Sequence, residues 1–186
     1  VVQANANSLL ATLKPMICQC RALVQKYHVV VTNPPYMGSS GMSEMLSRYV
    51  KENYPDTKSD LSTVFMERDL DFCKQNGLMA MINIPVWMFL SSYEKLRSSI
   101  LENNTYVNMI HPGRGIFGSD FGTTTFVISK TKVNDYLGSY RRLFDKQGEV
   151  ETVEAREEAF FAGKGKHFVK QEDLIAIPGS PLAYWV

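Results

Sequence analysis

Apolar positions recurring near the helical period open the chain. Leu9, Leu10, Leu13, Met16, Ile17, Cys20 and Val24 predict a helix over 5–26. Pro15 falls inside it, where a residue without an amide hydrogen is expected to kink the helix or start a second one. The pattern then changes. His28-Val29-Val30-Val31-Thr32 is β-branched and does not alternate, as in a parallel strand buried on both faces. Asn33-Pro34-Pro35-Tyr36 must stop that strand, because two consecutive residues lack N–H groups for a ladder. A flexible loop, 38–41, precedes a helix expected from about Ser43 to Asn53. Asp60 is placed to cap the next helix, with Leu61, Val64, Phe65, Leu70 and Phe72 turned inward and Asn76-Gly77 at its end. Residues 78–84 predict a second buried strand closed by Pro85. Ser91 and Glu94 have capping-box spacing for a helix through Leu101, ended by Asn103-Asn104. Residues 105–110 and 123–129 predict two more strands around a Gly-rich turn region.

Strands alternating with helices imply an α/β fold, a partial Rossmann-like sheet with helices on its faces. Only about half of a doubly wound domain is accounted for. The last two strands have no helix between them and are expected to pair antiparallel at the sheet edge. Residues 147–173 change character, with Glu149, Glu151, Glu154, Glu157 and Glu158 followed by Lys164, Lys166 and Lys170. That charge pattern predicts a solvated helix and linker. The chain is therefore divided at 135, with 136–186 as an extension toward a recognition region. Ile177-Pro178-Gly179-Ser180-Pro181 turns into an aromatic end, Tyr184-Trp185-Val186. Exposed aromatics need cover. That end, and a start without Met, lead us to expect a piece of a longer chain.

Composition narrows the function. Forty-five per cent apolar residues in 186 are enough for a sizeable core. A net charge of +1 does not support DNA binding by this segment alone, since phosphate contacts draw on excess Lys and Arg. Cys18, Cys20 and Cys73 give neither a disulfide framework nor zinc-ligand spacing, and no metal is expected. They read as reduced, partly buried thiols of a cytoplasmic protein. No apolar run approaches a membrane span.

The candidate chemistry lies in Asn33-Pro34-Pro35-Tyr36. Open parallel sheets bind ligands outside the carboxyl ends of their strands, and this motif stands at such an end. An exocyclic aromatic amine is a poor nucleophile because its lone pair is delocalised. An Asn carbonyl and a backbone carbonyl that accept its two hydrogens draw the nitrogen toward tetrahedral geometry. The prolines fix the local backbone and add no competing donors. Tyr36 offers a face for a base to stack on, and such a base must leave the duplex.

The tetrapeptide resembles motif IV of the amino-methyltransferases in its adenine-N6 form. The likeness continues through Lys58-Ser59-Asp60-Leu61, Pro85-Val86-Trp87-Met88-Phe89-Leu90, Phe121-Gly122-Thr123-Thr124-Thr125-Phe126-Val127-Ile128 and the Ile177–Trp185 stretch. As an ordered set these blocks are similar to the large PglX-type DNA adenine-N6 methyltransferases of BREX phage-defence systems. More loosely they resemble the methylase part of fused restriction–modification enzymes.

The resemblance implies that 1–135 is the C-terminal half of a class I methyltransferase domain using S-adenosylmethionine. It implies that Asn33 accepts one hydrogen of adenine N6 and the Pro34 carbonyl the other, both bordering the donor, with Pro35 in the same catalytic turn. Tyr36 would stack on the flipped adenine of double-stranded DNA. A second aromatic is implied on the opposite face, with Phe117 preferred and Phe121 its rival. Trp87 is either a pocket wall or core, and Asp60 a helix cap. Partners would be DNA and subunits of a defence system.

Two features depart from the family pattern. His28 stands where Asp is frequent and reads as a packed or solvent-facing residue. The Gly-rich donor loop finds no match in the 32 residues before Asn33, and Gly113-Arg114-Gly115 reads as a turn. This segment alone is therefore expected to be inactive. Two alternatives share the motif or the fold: a protein glutamine-N5 methyltransferase and a non-enzymatic scaffold of a defence complex.

Overall fold

The computed structural model describes residues 2–116, 121–146 and 148–186. Helix α1 (Val2–Val24) leads into β1 (Tyr27–Thr32), α2 (Glu44–Asn53), α3 (Leu61–Phe72), β2 (Cys73–Asn83) and α4 (Glu94–Asn103). Then come β3 (Thr105–Gly113), β4 (Thr123–Ser129), β5 (Leu137–Arg142), α5 (Val153–Phe161), β6 (Lys166–Lys170) and α6 (Gln171–Ile175). One mixed sheet has the order β1-β2-β4-β3-β5-β6. The pair β1–β2 is parallel, and β4 is antiparallel to both β2 and β3. The α/β class expected from the sequence is the observed one.

The core lies on one face of the sheet. Met66 and Leu70 of α3 and Leu96, Ile100 and Leu101 of α4 pack on Met79, Met81, Met109, Phe126 and Ile128 of the strands. Asp60 caps α3 by accepting from the Ser62 N–H at 2.8 Å, and Ser43 caps α2 in the same way. Over β1 the other face is uncovered among the described residues. Val29 and Val31 are 58% and 75% exposed, and they register beside Leu78 and Ala80. The β-branched run of β1 thus forms a parallel strand, but one only half-buried and on a single face, where Val30 packs against the core. Its pattern reports side-chain shape, whereas burial depends on which helices lie across it.

Other expectations are corrected. Helix α1 runs through Pro15 without a break, and Leu9, Leu10, Met16 and Ile17 on it are exposed. Cys18 and Cys20 are exposed as well, and only Cys73 is buried. Helix α3 ends at Phe72 rather than at Asn76-Gly77, which lie inside β2. No capping box forms at Ser91: a 3₁₀ turn, Ser91–Tyr93, feeds α4, and its cap residue Tyr93 makes no side-chain capping bond. Strands β3 and β4 pair antiparallel, but inside the sheet, because β5 adds beside β3 in parallel.

The segment 136–186 contributes β5 and β6 to the same sheet. Helix α5 keeps the expected solvated acidic surface, with Glu154, Glu157 and Glu158 exposed. Lys166–Lys170, read as linker, is a strand paired with β5. The aromatic end is packed, not exposed. Tyr184 is buried and stacks on Tyr140 with centroids 4.9 Å apart. The Leu182 N–H donates to the Met88 carbonyl at 3.0 Å.

Candidate active site

At the carboxyl end of β1 the chain turns out of the sheet through Asn33-Pro34-Pro35-Tyr36. Asn33 and Pro35 are exposed, Pro34 is buried, and Tyr36 is 37% exposed. The loop that follows is tied down by the start of α3. The Leu61 N–H donates to the Met37 carbonyl at 2.8 Å and the Ser39 N–H to the Ser59 carbonyl at 3.0 Å. A β-bridge joins Gly38 to Asp60. The Lys58–Leu61 block therefore caps a helix and holds the motif loop with the same residues.

Behind the motif, Asp69 of α3 is buried beside Thr32, the last residue of β1, and its Oδ2 has no hydrogen-bond partner among the described residues. Burial pushes the pKa of this carboxyl up, opposed by Thr32 and by Arg68. The Tyr36 hydroxyl donates to Asn33 Oδ1 at 2.8 Å and lies 3.2 Å from the Ile82 carbonyl oxygen of β2. Burial raises the pKa of that hydroxyl, so it keeps its hydrogen at neutral pH. The Pro34 carbonyl makes no backbone hydrogen bond among the described residues. Phe121, 53% exposed, brings its ring to 6.5 Å from the Tyr36 ring at an interplanar angle of 72°. A cleft of about 350 Å³ opens beside Asn33 on the uncovered face, lined by Val31, Thr32, Ala80, Ile82 and Thr125 among others.

This arrangement sets the Asn33 Oδ1 acceptor and two aromatic rings together at the carboxyl end of β1. It can receive a planar ring bearing an amine, stack its face and accept one of its hydrogens.

The other predicted site residues are placed as follows. Phe117 lies outside the described residues. Of the two readings of Trp87, core is the one observed: it is fully buried, 5.2 Å from Phe126 and 6.4 Å from Tyr106 by ring centroids. A ring with no exposed face cannot line a substrate pocket. His28 is exposed, with Lys74 Nζ 3.5 Å from its Nε2. Gly113 and Gly115 both have φ of 87°, but Gly113 is the last residue of β3 and Arg114 forms a β-bridge with Val150, so the expected turn is instead a strand end. Among the described residues no His, Cys, Asp and Glu cluster could hold a metal, and no helix is long and apolar enough to cross a membrane.

Sequence reasoning missed Asp69 and the Ile82 carbonyl. Asp69 could have been noticed as a carboxylate on an apolar helix face, three residues before Phe72. The carbonyl carries no side-chain signal at all.

The family model described as Eco57I restriction-modification methylase matches residues 5–117, which include the whole Asn33–Tyr36 motif and Asp60. The chain belongs to this methylase family. Adenine-specific methyltransferase BrxX of Escherichia coli O9:H4 (strain HS) is 40% identical over 181 residues, covering 94% of this chain and 14% of that protein. Adenine-specific methyltransferase PglX of Lacticaseibacillus casei (strain Zhang) is 39% identical over 183 residues, covering 93% of this chain and 15% of that protein. The methylase segment thus spans about one seventh of these curated relatives. Among solved structures, a type I restriction-modification methyltransferase subunit from Streptococcus thermophilus superposes with a TM-score of 0.59 at 19% identity, over 84% of this chain and 37% of that one. The last likeness concerns the fold.

Proposed function

We propose that this methylase segment holds the acceptor base in a DNA adenine-N6 methyltransferase of the restriction–modification or phage-defence type. Asn33 Oδ1 and the Pro34 carbonyl accept the two N6 hydrogens of an adenine flipped from double-stranded DNA. Their pull localises the lone pair on N6, and the Pro34-Pro35 backbone keeps the acceptors fixed as the nitrogen pyramidalises. Tyr36 stacks on one face of the base and Phe121 closes on the other, or Phe117 does so in its place. The observation that carries this reading is an exposed Asn33 at a strand end, its Oδ1 held beside an open cleft and an aromatic pair. The names of the two relatives favour a nucleobase over a glutamine amide as acceptor.

S-adenosylmethionine is the methyl donor proposed for the intact protein. The residues present do not form its cradle. The cleft beside Asn33 is lined chiefly by apolar side chains such as Val31, Ala80 and Ile82, without a carboxylate for a ribose. No glycine turn ends β1 or β2, where Asn33 and Ile84 stand. This segment is therefore assigned to the acceptor side, with Asn33 and Pro34 at its border with the donor, and is proposed to be inactive alone. DNA and other defence subunits are the proposed partners.

The test is methyl transfer to adenine N6 by the intact natural polypeptide carrying Asn33→Ala. Loss of one preorganised acceptor should lower kcat by about 10²-fold or more. Activity equal to wild type would remove Asn33 from the chemistry and the proposal with it.

A further inference from the structure

Stacking uses the face of the Tyr36 ring, and a phenyl ring would stack equally well, so stacking leaves the hydroxyl without a role. Its surroundings are specific. It donates to Asn33 Oδ1 at 2.8 Å, and its second neighbour is the Ile82 carbonyl on β2 at 3.2 Å. A phenol carries one hydrogen, and the shorter contact takes it.

The Asn33 carboxamide has an orientation to be fixed. Rotation by half a turn exchanges its oxygen with its NH₂ group at almost the same shape. Facing an incoming amine, the oxygen accepts, whereas the NH₂ group sets donor against donor. Asn33 is exposed, and among the described residues its side chain makes no other hydrogen bond. A hydrogen bond to Oδ1 uses one lone pair and leaves the second free for the substrate.

We infer that the Tyr36 hydroxyl is a positioning group: by donating its one hydrogen to Oδ1 it selects the Asn33 rotamer that presents the second Oδ1 lone pair to the acceptor amine. This rests on the proposed role of Asn33. Tyr36 thereby does two separable things, stacking with its ring and orienting Asn33 with its hydroxyl.

The test uses the intact natural polypeptide, genomic DNA lacking the modification, and tritiated S-adenosylmethionine. Tyr36→Phe should lower kcat by about 3- to 10-fold, the weight of one hydrogen bond, while KM for DNA and the thermal midpoint stay in place. Asn33→Asp provides the second arm. A carboxylate has two equivalent oxygens, so a half-turn changes nothing. Adding Tyr36→Phe to Asn33→Asp should therefore change kcat by a factor close to one. Wild-type kcat in Tyr36→Phe overturns the inference. So does the same fall in both backgrounds, or a fall confined to KM. Should Asn33→Asp prove inactive, the kcat of Tyr36→Phe alone decides. None of these results touches the acceptor role of Asn33, which only the Asn33→Ala variant can sink.

Discussion

The rings of Tyr36 and Phe121 meet edge to face, with centroids 6.5 Å apart and planes 72° apart. A base held between two rings needs them parallel and about 7 Å apart, twice the carbon contact distance. The separation is already close to that value, so Phe121 has mainly to turn. It is 53% exposed.

Phe121→Ala should therefore weaken capture of the flipped base with little effect on folding. The expected loss is about 1–3 kcal/mol, read as a higher KM for DNA with a smaller change in kcat. Fluorescence of a 2-aminopurine placed at the target position would report the flipped state directly. An unchanged KM and flipped population would assign the opposite face to another residue, Phe117 first.

Asp69 lies buried beside the last residue of β1. Its folded pKa lies above the unfolded one because burial disfavours the charge. Stability from this group is therefore present below the unfolded value and is lost as pH rises through the folded value. Asp69→Asn, neutral and nearly isosteric, should raise the urea midpoint at pH 7 and keep the packing beside Thr32. Asp69→Ala should lower it and reduce kcat by freeing the end of β1. A midpoint that falls in Asp69→Asn would show that the charge is used.

His111 of β3 is 2% exposed, and its pKa is lowered to about 4, first by burial and then by Arg142. The unfolded chain takes up the proton near pH 6.5 and the folded chain only near 4. Stability from the neutral ring is complete above pH 6.5 and is lost as pH falls through that window. At about 1.4 kcal/mol per unit, the loss reaches roughly 3 kcal/mol. His111→Gln should flatten the acid limb of the stability profile. An identical limb in the variant would place the titration elsewhere.

Arg97 closes the aromatic end onto the core. Its guanidinium donates to the carbonyls of Trp87 at 2.9 Å, Leu90 at 2.6 Å, Gly179 at 2.8 Å and Ser180 at 3.1 Å. Arg97→Met would leave buried carbonyls without donors, a cost of roughly 3 kcal/mol. Proteolysis in the 177–186 stretch should accelerate with it. Lys in its place supplies no planar fork and should rescue only in part. Stability and cleavage at wild-type levels in Arg97→Met would refute the clamp.

Much of the fold was legible in the chain because its punctuation is local. Asp60 caps α3 through a bond two residues away, and the prolines after β1 and β2 end strands through their own missing N–H groups. The Asn33–Tyr36 motif was legible for the same reason, as a rigid turn directly after a β-branched run. Strands β5 and β6 were not legible. Leu137-Gly138-Ser139-Tyr140-Arg141-Arg142 has no apolar alternation, and it is a strand because β3 offers it a parallel edge.

Taken by itself, then, the sequence determined what short-range sterics and hydrogen bonding can impose: the cap of α3 at Asp60, where β1 and β2 stop, and which four residues form the rigid turn after β1. The tertiary structure decided what depends on distant neighbours. It placed Trp87 in the core rather than in a pocket and left Val29 and Val31 on an open face. It set the Tyr36 hydroxyl between Asn33 and a carbonyl 46 residues away. Burial and pairing are sums over partners that come together only when the sheet assembles, and no window along the chain contains them.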